Sequence, residues 1–235
     1  MKYILFDLDS TLYYLDERNF LPVYFDAIGK KAVEIGYDYE VACHAMYDGS
    51  VNMSNSDGVK TNEQLFWEAF EKITGPLPKE DREKFDSYYD TDFDKLKVLS
   101  KPIPGVKEII KSLKEKDYVL VVATNPVLPM VAQLTRMNWA GLDPNDFAFI
   151  TSYETFHYSK PDPRFYLEAA SKLGAKPEDC LMVGNDVRGD ILAAKEAGLK
   201  VFLITDYMSN HYKDDASQIP QGHFDDLVKY FNSLK

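Results

Sequence analysis

The sequence predicts an α/β protein: a doubly wound, Rossmann-like parallel sheet core with an α-helical cap inserted after the first strand. Two observations carry this. Short continuous apolar runs (YILF, VLVV, CLMV and VFLI) alternate with amphipathic helical segments, as parallel strands covered on both faces require. From about 14 to 94, after the first of these runs, the pattern is helical with no strand signal. The core is therefore assigned to 1–13 and 95–235, and the cap to 14–94.

The elements follow in order. Tyr3, Ile4, Leu5 and Phe6 read as a buried strand that runs into Asp7 and Asp9. Leu21, Tyr24, Phe25, Ile28, Ala32 and Ile35 recur at helical spacing, and Gly36 supplies a stop. A short helix is expected over 40–47, ended by "DGS". In "TNEQLFWEAFEKITG", Thr61 and Gln64 form a capping box, and Gly75 closes the helix. "PKEDREKFDSYYD" completes the cap, whose aromatics, among them Trp67, Phe70, Tyr88 and Tyr89, are expected to form its core. Tyr13 and Tyr14 border the first strand's acidic end and fit either pocket lining or hinge packing. The core then alternates: helix "PGVKEIIKSLKEK", strand "YVLVVATN", a helix over 130–138, strand "FAFITS" and helix "PRFYLEAASKLG". Strand "CLMVGND", helix "RGDILAAKEAG", strand "KVFLIT" and a closing helix over 224–234 finish the chain.

Composition narrows the function. Lys and Arg number 27 against 38 Asp and Glu, a net charge of −11, which gives no general attraction to nucleic acid or an anionic membrane. An anionic substrate must be captured by local positive charge. Cys43 and Cys180 lie far apart without metal-ligand spacing and read as buried, reduced thiols. No apolar run approaches a membrane span, and the start does not read as a signal peptide, so a cytoplasmic protein is expected. "GNDVRGD" lacks the spacing of a dinucleotide-binding loop.

Ligands of open α/β sheets bind beyond the carboxyl ends of the strands. Those ends here carry Asp7 and Asp9, then Thr124 and Asn125, then Asn185 and Asp186, with Lys160 in the loop after "FAFITS". Asp7 and Asp9 stand on alternate positions and face the same way, so either they sit in solvent at the strand's end or a cation holds them together. Carboxylates, one ammonium and one hydroxyl converging on one edge suit a divalent cation and a phosphate. Magnesium takes one or two carboxylates and completes its shell with water and phosphate oxygens.

The ordered set "DLDST", Thr124 closing a strand, "KPDP" and "GND" resembles the haloacid dehalogenase superfamily in its phosphatase branch. The resemblance covers all four family motifs and the position of the helical cap. It implies a magnesium-dependent phosphatase acting on a small phosphorylated metabolite through an aspartyl-phosphate. Asp7 would be the nucleophile and Asp9 the general acid and base. Thr124, Asn125 and Lys160 would bind the phosphoryl group, and Thr11 would fix the turn. Asp7, Asp9 (through its backbone carbonyl) and Asp186 would hold Mg2+. The fourth motif departs from the common Gly-Asp order, so Asn185 and Asp190 stand beside Asp186 as alternatives, with Asp186 expected on charge. His157 replaces a frequent glycine and either touches substrate or packs in its loop.

A sugar-phosphate mutase shares the Asp pair and stands as the alternative. A dehalogenase is disfavoured because that branch lacks a second aspartate at the place of Asp9. A phospho-accepting receiver domain is roughly half this length and does not carry its acceptor on the first strand. A non-catalytic scaffold is expected to have lost Asp7 or Asp9, and both are present. Nothing in the sequence reports oligomeric state.

Overall fold

The computed structural model describes residues 2–233. Its main sheet has the order β4–β1–β5–β6–β7, all parallel, formed by Val119–Val122, Tyr3–Phe6, Cys180–Gly184, Lys200–Ile204 and Gln221–Gly222. The first strand is interior: Tyr3 pairs with Val119 on one side and Cys180 on the other. Its carboxyl end is therefore the switch point at which a crevice opens. Side chains alternate across the sheet as strand geometry demands. Ile4, Phe6, Leu120, Val122, Leu181 and Val183 pack on one face, and Leu5, Val121 and Met182 on the other.

Between β1 and β4 the chain makes a second, two-stranded sheet in which β2 (Tyr13–Leu15) runs antiparallel to β3 (Ser100–Pro102). Four helices lie between these strands: α1 (Glu17–Ile35), α2 (Tyr39–Ser54), α3 (Asn62–Thr74) and α4 (Lys79–Thr91). The segment 14–94 thus starts inside β2 and ends in the 3-10 turn Phe93–Leu99. The Thr61/Gln64 capping box is formed at the start of α3. After β3 come α5 (Val106–Glu115), α6 (Met130–Ala140), α7 (Pro163–Lys172), α8 (Ala193–Glu196) and α9 (Phe224–Ser233). Among the described residues no helix is long and apolar enough to cross a membrane.

Several elements differ from expectation. "DGS" does not end the second helix, which continues to Ser54. Gly49 sits where α2 meets α3, and a Cβ there would lie 2.5 Å from the Phe66 ring. Its smallness serves helix contact rather than helix termination. "FAFITS" is not a full strand. It runs beside β4 through one bridge, Val122 to Ile150, with Ala148 N donating to Leu120 O at 2.7 Å and Thr151 N to Val122 O at 3.0 Å. The helix after "GND" opens with a widened π turn, Val187–Leu192, before α8. Leu21, at helical spacing with the buried Ile28 and Ala32, is itself 55% exposed, and the short strand β7 had no sequence signal. Of the thiols, Cys180 is buried, whereas Cys43 is only half-buried; both are free. The closing helix is seen to Ser233, and its expected end at Leu234 lies outside the described residues.

Candidate active site

The polar strand ends meet. Asp7, Asp9, Thr124, Asn125, Lys160, Asn185, Asp186 and Asp190 line one cleft of about 320 Å³ at the carboxyl edge of the sheet. Parallel strands β4, β1 and β5 all end there, which brings residues far apart in sequence to one mouth. Ser10, between the acidic pair and Thr11, has φ 56°. That unusual conformation turns the chain sharply after Asp9, and strain of this kind gathers at functional sites.

Lys160 is the electrostatic centre. Its side chain is 7% exposed, and Nζ lies 2.7 Å from Asp7 Oδ1 and 2.6 Å from Asp190 Oδ1. Burial pulls the ammonium down, but Asp190 and Asp7 more than offset this and hold it above the usual lysine range. The Lys160 N–H also donates to Asn125 Oδ1 at 3.1 Å, tying the loop to the end of β4. Burial raises the Asp7 carboxyl well above the usual carboxylate range; Asp190 adds to the rise and Lys160 opposes it. Burial likewise raises Asp190, against Lys160.

The fourth motif is built around Asp190. Its Oδ2 accepts from the N–H groups of Asn185 (3.1 Å) and Asp186 (3.0 Å). The widened turn makes this possible by swinging Asp190 back beneath the strand end. Gly184 is needed for the approach, since a Cβ there would lie 2.5 Å from Asp190 Cβ. Asn185 accepts from Thr11 Oγ1 at 3.1 Å and donates to Tyr207 O at 2.9 Å, so it braces the two loops against each other. Asp186 faces the cleft while capping the turn: its carboxylate accepts from Gly189 N at 2.5 Å and from Ser209 Oγ at 2.7 Å.

Asp9 is held by Tyr13, which the sequence placed beside the acidic strand end, and by Arg136, which sequence reasoning did not place. Tyr13 Oη donates to Asp9 Oδ1 at 2.5 Å, and the Arg136 guanidinium pairs with Asp9 Oδ2. Arg136 is buried on α6, also donates to Gln133, and reaches Thr124 Oγ1 at 3.5 Å. Burial opposes its charge, yet Asp9 and Tyr13 hold its pKa above the ordinary arginine value. His157 lines neither this cleft nor its neighbour, and its ring contacts Glu168 at 2.8 Å.

The donor set fits a hard divalent cation. Asp7, Asp9, Asp186 and Asp190 line a cleft whose own cations are Lys160 and Arg188, and Arg188 is already paired with Asp214, so carboxylates outnumber the positive charge available to them. Among the described residues no three carboxylate, imidazole or thiol groups form a complete metal cage. Magnesium needs none, because water and phosphate oxygens fill most of its shell.

A second cavity of about 310 Å³ adjoins the cleft, and Asp9, Glu17, Thr124 and Asn125 line both. It lies between the helices α1–α4 and the sheet edge. Trp67 and Tyr89 line it and are partly buried, while Phe70 and Tyr88 are buried as expected for the helical core.

The family model of the haloacid dehalogenase-like hydrolases matches residues 1–198. The chain is 35% identical over 130 residues to phosphoglycolate phosphatase 1 of Pseudomonas aeruginosa, covering 55% of this chain and 46% of that one. The match thus spans about half of that relative. Similarity to the phosphoglycolate phosphatase of Aquifex aeolicus is 30% over 205 residues, covering 86% and 84% of the two chains. The fold superposes on the crystal structure of a 2-haloacid dehalogenase from Pseudomonas syringae with a TM-score of 0.66, at 21% identity and 100% coverage of both chains.

Proposed function

Because the chain belongs to the haloacid dehalogenase-like hydrolases, we propose that it is a magnesium-dependent phosphatase that hydrolyses a small phosphomonoester through an aspartyl-phosphate on Asp7. The observation that carries this reading is the placement of Lys160 between Asp7 and Asp190 at the switch point of the sheet, beside Asp9. The relatives named phosphoglycolate phosphatase support hydrolysis of a phosphate ester.

In this reading Asp7 attacks phosphorus, and the ester P–O bond breaks as the alcohol oxygen takes a proton from Asp9. Asp9 then takes a proton from water, whose oxygen attacks the acyl phosphate. The Asp7–phosphate bond breaks and inorganic phosphate leaves. Lys160, Thr124 and Asn125 orient the phosphoryl oxygens, and Lys160 offsets their charge. Asp7, the Asp9 carbonyl and Asp186 would hold Mg2+, which supplies further charge neutralisation when bound. Tyr13 and Arg136 both donate to Asp9, one to each carboxylate oxygen, and so hold its carboxylate toward the cleft.

The helices α1–α4 act as the cap, tethered by the paired strands β2 and β3, and their closure excludes water. Phosphate release from p-nitrophenyl phosphate, with magnesium and after its removal by chelator, tests the reading. Magnesium-dependent release is expected; its absence with every phosphomonoester tried contradicts the proposal.

A further inference from the structure

The geometry points to a substrate whose leaving group is an uncharged, ring-bearing alcohol, held in the aromatic cavity beside Asp9. This inference rests on the phosphatase reading and adds the substrate class to it. In an in-line displacement the leaving oxygen departs on the side opposite the attacking one. Asp7 lines only the acidic cleft, whereas Asp9 lines both spaces. A leaving group protonated by Asp9 and pointing away from Asp7 therefore enters the second cavity.

That cavity is built for apolar matter. Phe20, Tyr24, Phe25, Phe66, Trp67 and Tyr89 form its walls. Three of its hydroxyls are engaged: those of Tyr24 and Tyr89 lie 2.7 Å apart, and Ser50 donates to Met46 O at 3.1 Å. Among the described residues Arg136 is the one cation lining it; Asp9 and Gln133 take its two terminal nitrogens, while its Nε is buried without a partner. Glu17, at the boundary of the two spaces, adds negative charge. A carboxylate or second phosphate on the leaving group would meet Glu17 and aromatic carbon, and would have to share with Asp9 the one cation there, Arg136, at a heavy desolvation cost. Since about 150 Å³ suffices for one benzene ring, the 310 Å³ here admits a ring with its linker.

The test compares benzyl phosphate with 2-phosphoglycolate, both esters of primary alcohols, using the purified full chain with magnesium. The expected kcat/KM ratio favours benzyl phosphate by about thirty-fold or more, the scale set by burying one ring against stranding one carboxylate. Ser50→Phe, which fills the cavity, is expected to lower the benzyl-to-methyl phosphate ratio by about tenfold. A preference for 2-phosphoglycolate overturns the substrate class, as does a benzyl-to-methyl ratio that folded Ser50→Phe leaves unchanged. Hydrolysis of p-nitrophenyl phosphate separates the two readings: its presence with a phosphoglycolate preference sinks only the substrate class, and failure on every ester sinks the phosphatase itself.

Discussion

The guanidinium of Arg136 sits on the carboxylate of Asp9, joining the buried face of helix α6 to the loop that leaves β1. The arginine side chain is 3% exposed and the aspartate 24%, so the pair is closed from the helix side and open toward the cleft. Its consequence is orientational: with Tyr13 on the other oxygen, Asp9 is fixed in one rotamer facing the cleft. Arg136→Met removes the charge while keeping an unbranched chain. We expect kcat/KM for an alkyl phosphate to fall about 100-fold, with Arg136→Lys recovering part of the loss. Steady-state kinetics at wild-type activity in Arg136→Met would contradict this role.

Asp7 and Asp9 are expected to fail differently. Asp9→Asn should cost alkyl phosphates about 100-fold more than p-nitrophenyl phosphate, whose leaving group needs no proton. Parallel kinetics on the two ester types read this directly. Equal losses would remove the acid–base role from Asp9.

Metal affinity should separate the fourth-motif residues. Asp186→Ala is expected to weaken magnesium activation about tenfold or more. Asn185→Ala should have the smallest effect, because Asn185 bonds to Thr11 and Tyr207 O. Asp190→Ala should fall between them through loss of the Lys160 anchor. Magnesium titration of the three purified variants gives the order, and a largest effect at Asn185 reverses the assignment.

Gly49→Ala should destabilise the protein although alanine is the better helix former. The added methyl meets the Phe66 ring, and overpacking of that kind costs about 1–3 kcal/mol, against about 1 kcal/mol gained in helix propensity. Urea unfolding should show a lower midpoint. A higher midpoint would mean that α2 and α3 separate more easily than their packing implies.

The alternation of apolar runs and helices was legible because parallel strands buried on both faces leave no other pattern. The residues at the strand ends were legible for the same reason, since the ends of β1, β4 and β5 must share an edge. Arg136 was not. It reads as an ordinary helical cation, yet it lies in the same stripe as Ala132, Gln133, Trp139 and Ala140, all buried. A charge inside an apolar stripe was the available signal, and its partner, Asp9, is 127 positions away. "DGS" misled because glycine marks both helix ends and close helix contacts, and only the Phe66 neighbour distinguishes them. "FAFITS" has strand composition, but it sits at the sheet edge with one bridge to β4. The aromatic cavity was hidden because Trp67 and Tyr89 have the same helical spacing whether they fill a core or line a void.

The central claim is that Asp7 carries the phosphoryl group during turnover. The most direct test is rapid acid quench of the protein turning over p-nitrophenyl phosphate with magnesium, followed by borohydride reduction and peptide mass spectrometry. The account predicts that an acyl phosphate at Asp7 is reduced there to homoserine, with no such product in Asp7→Asn. Sustained turnover by Asp7→Asn, or phosphoryl transfer to any other residue, would contradict it.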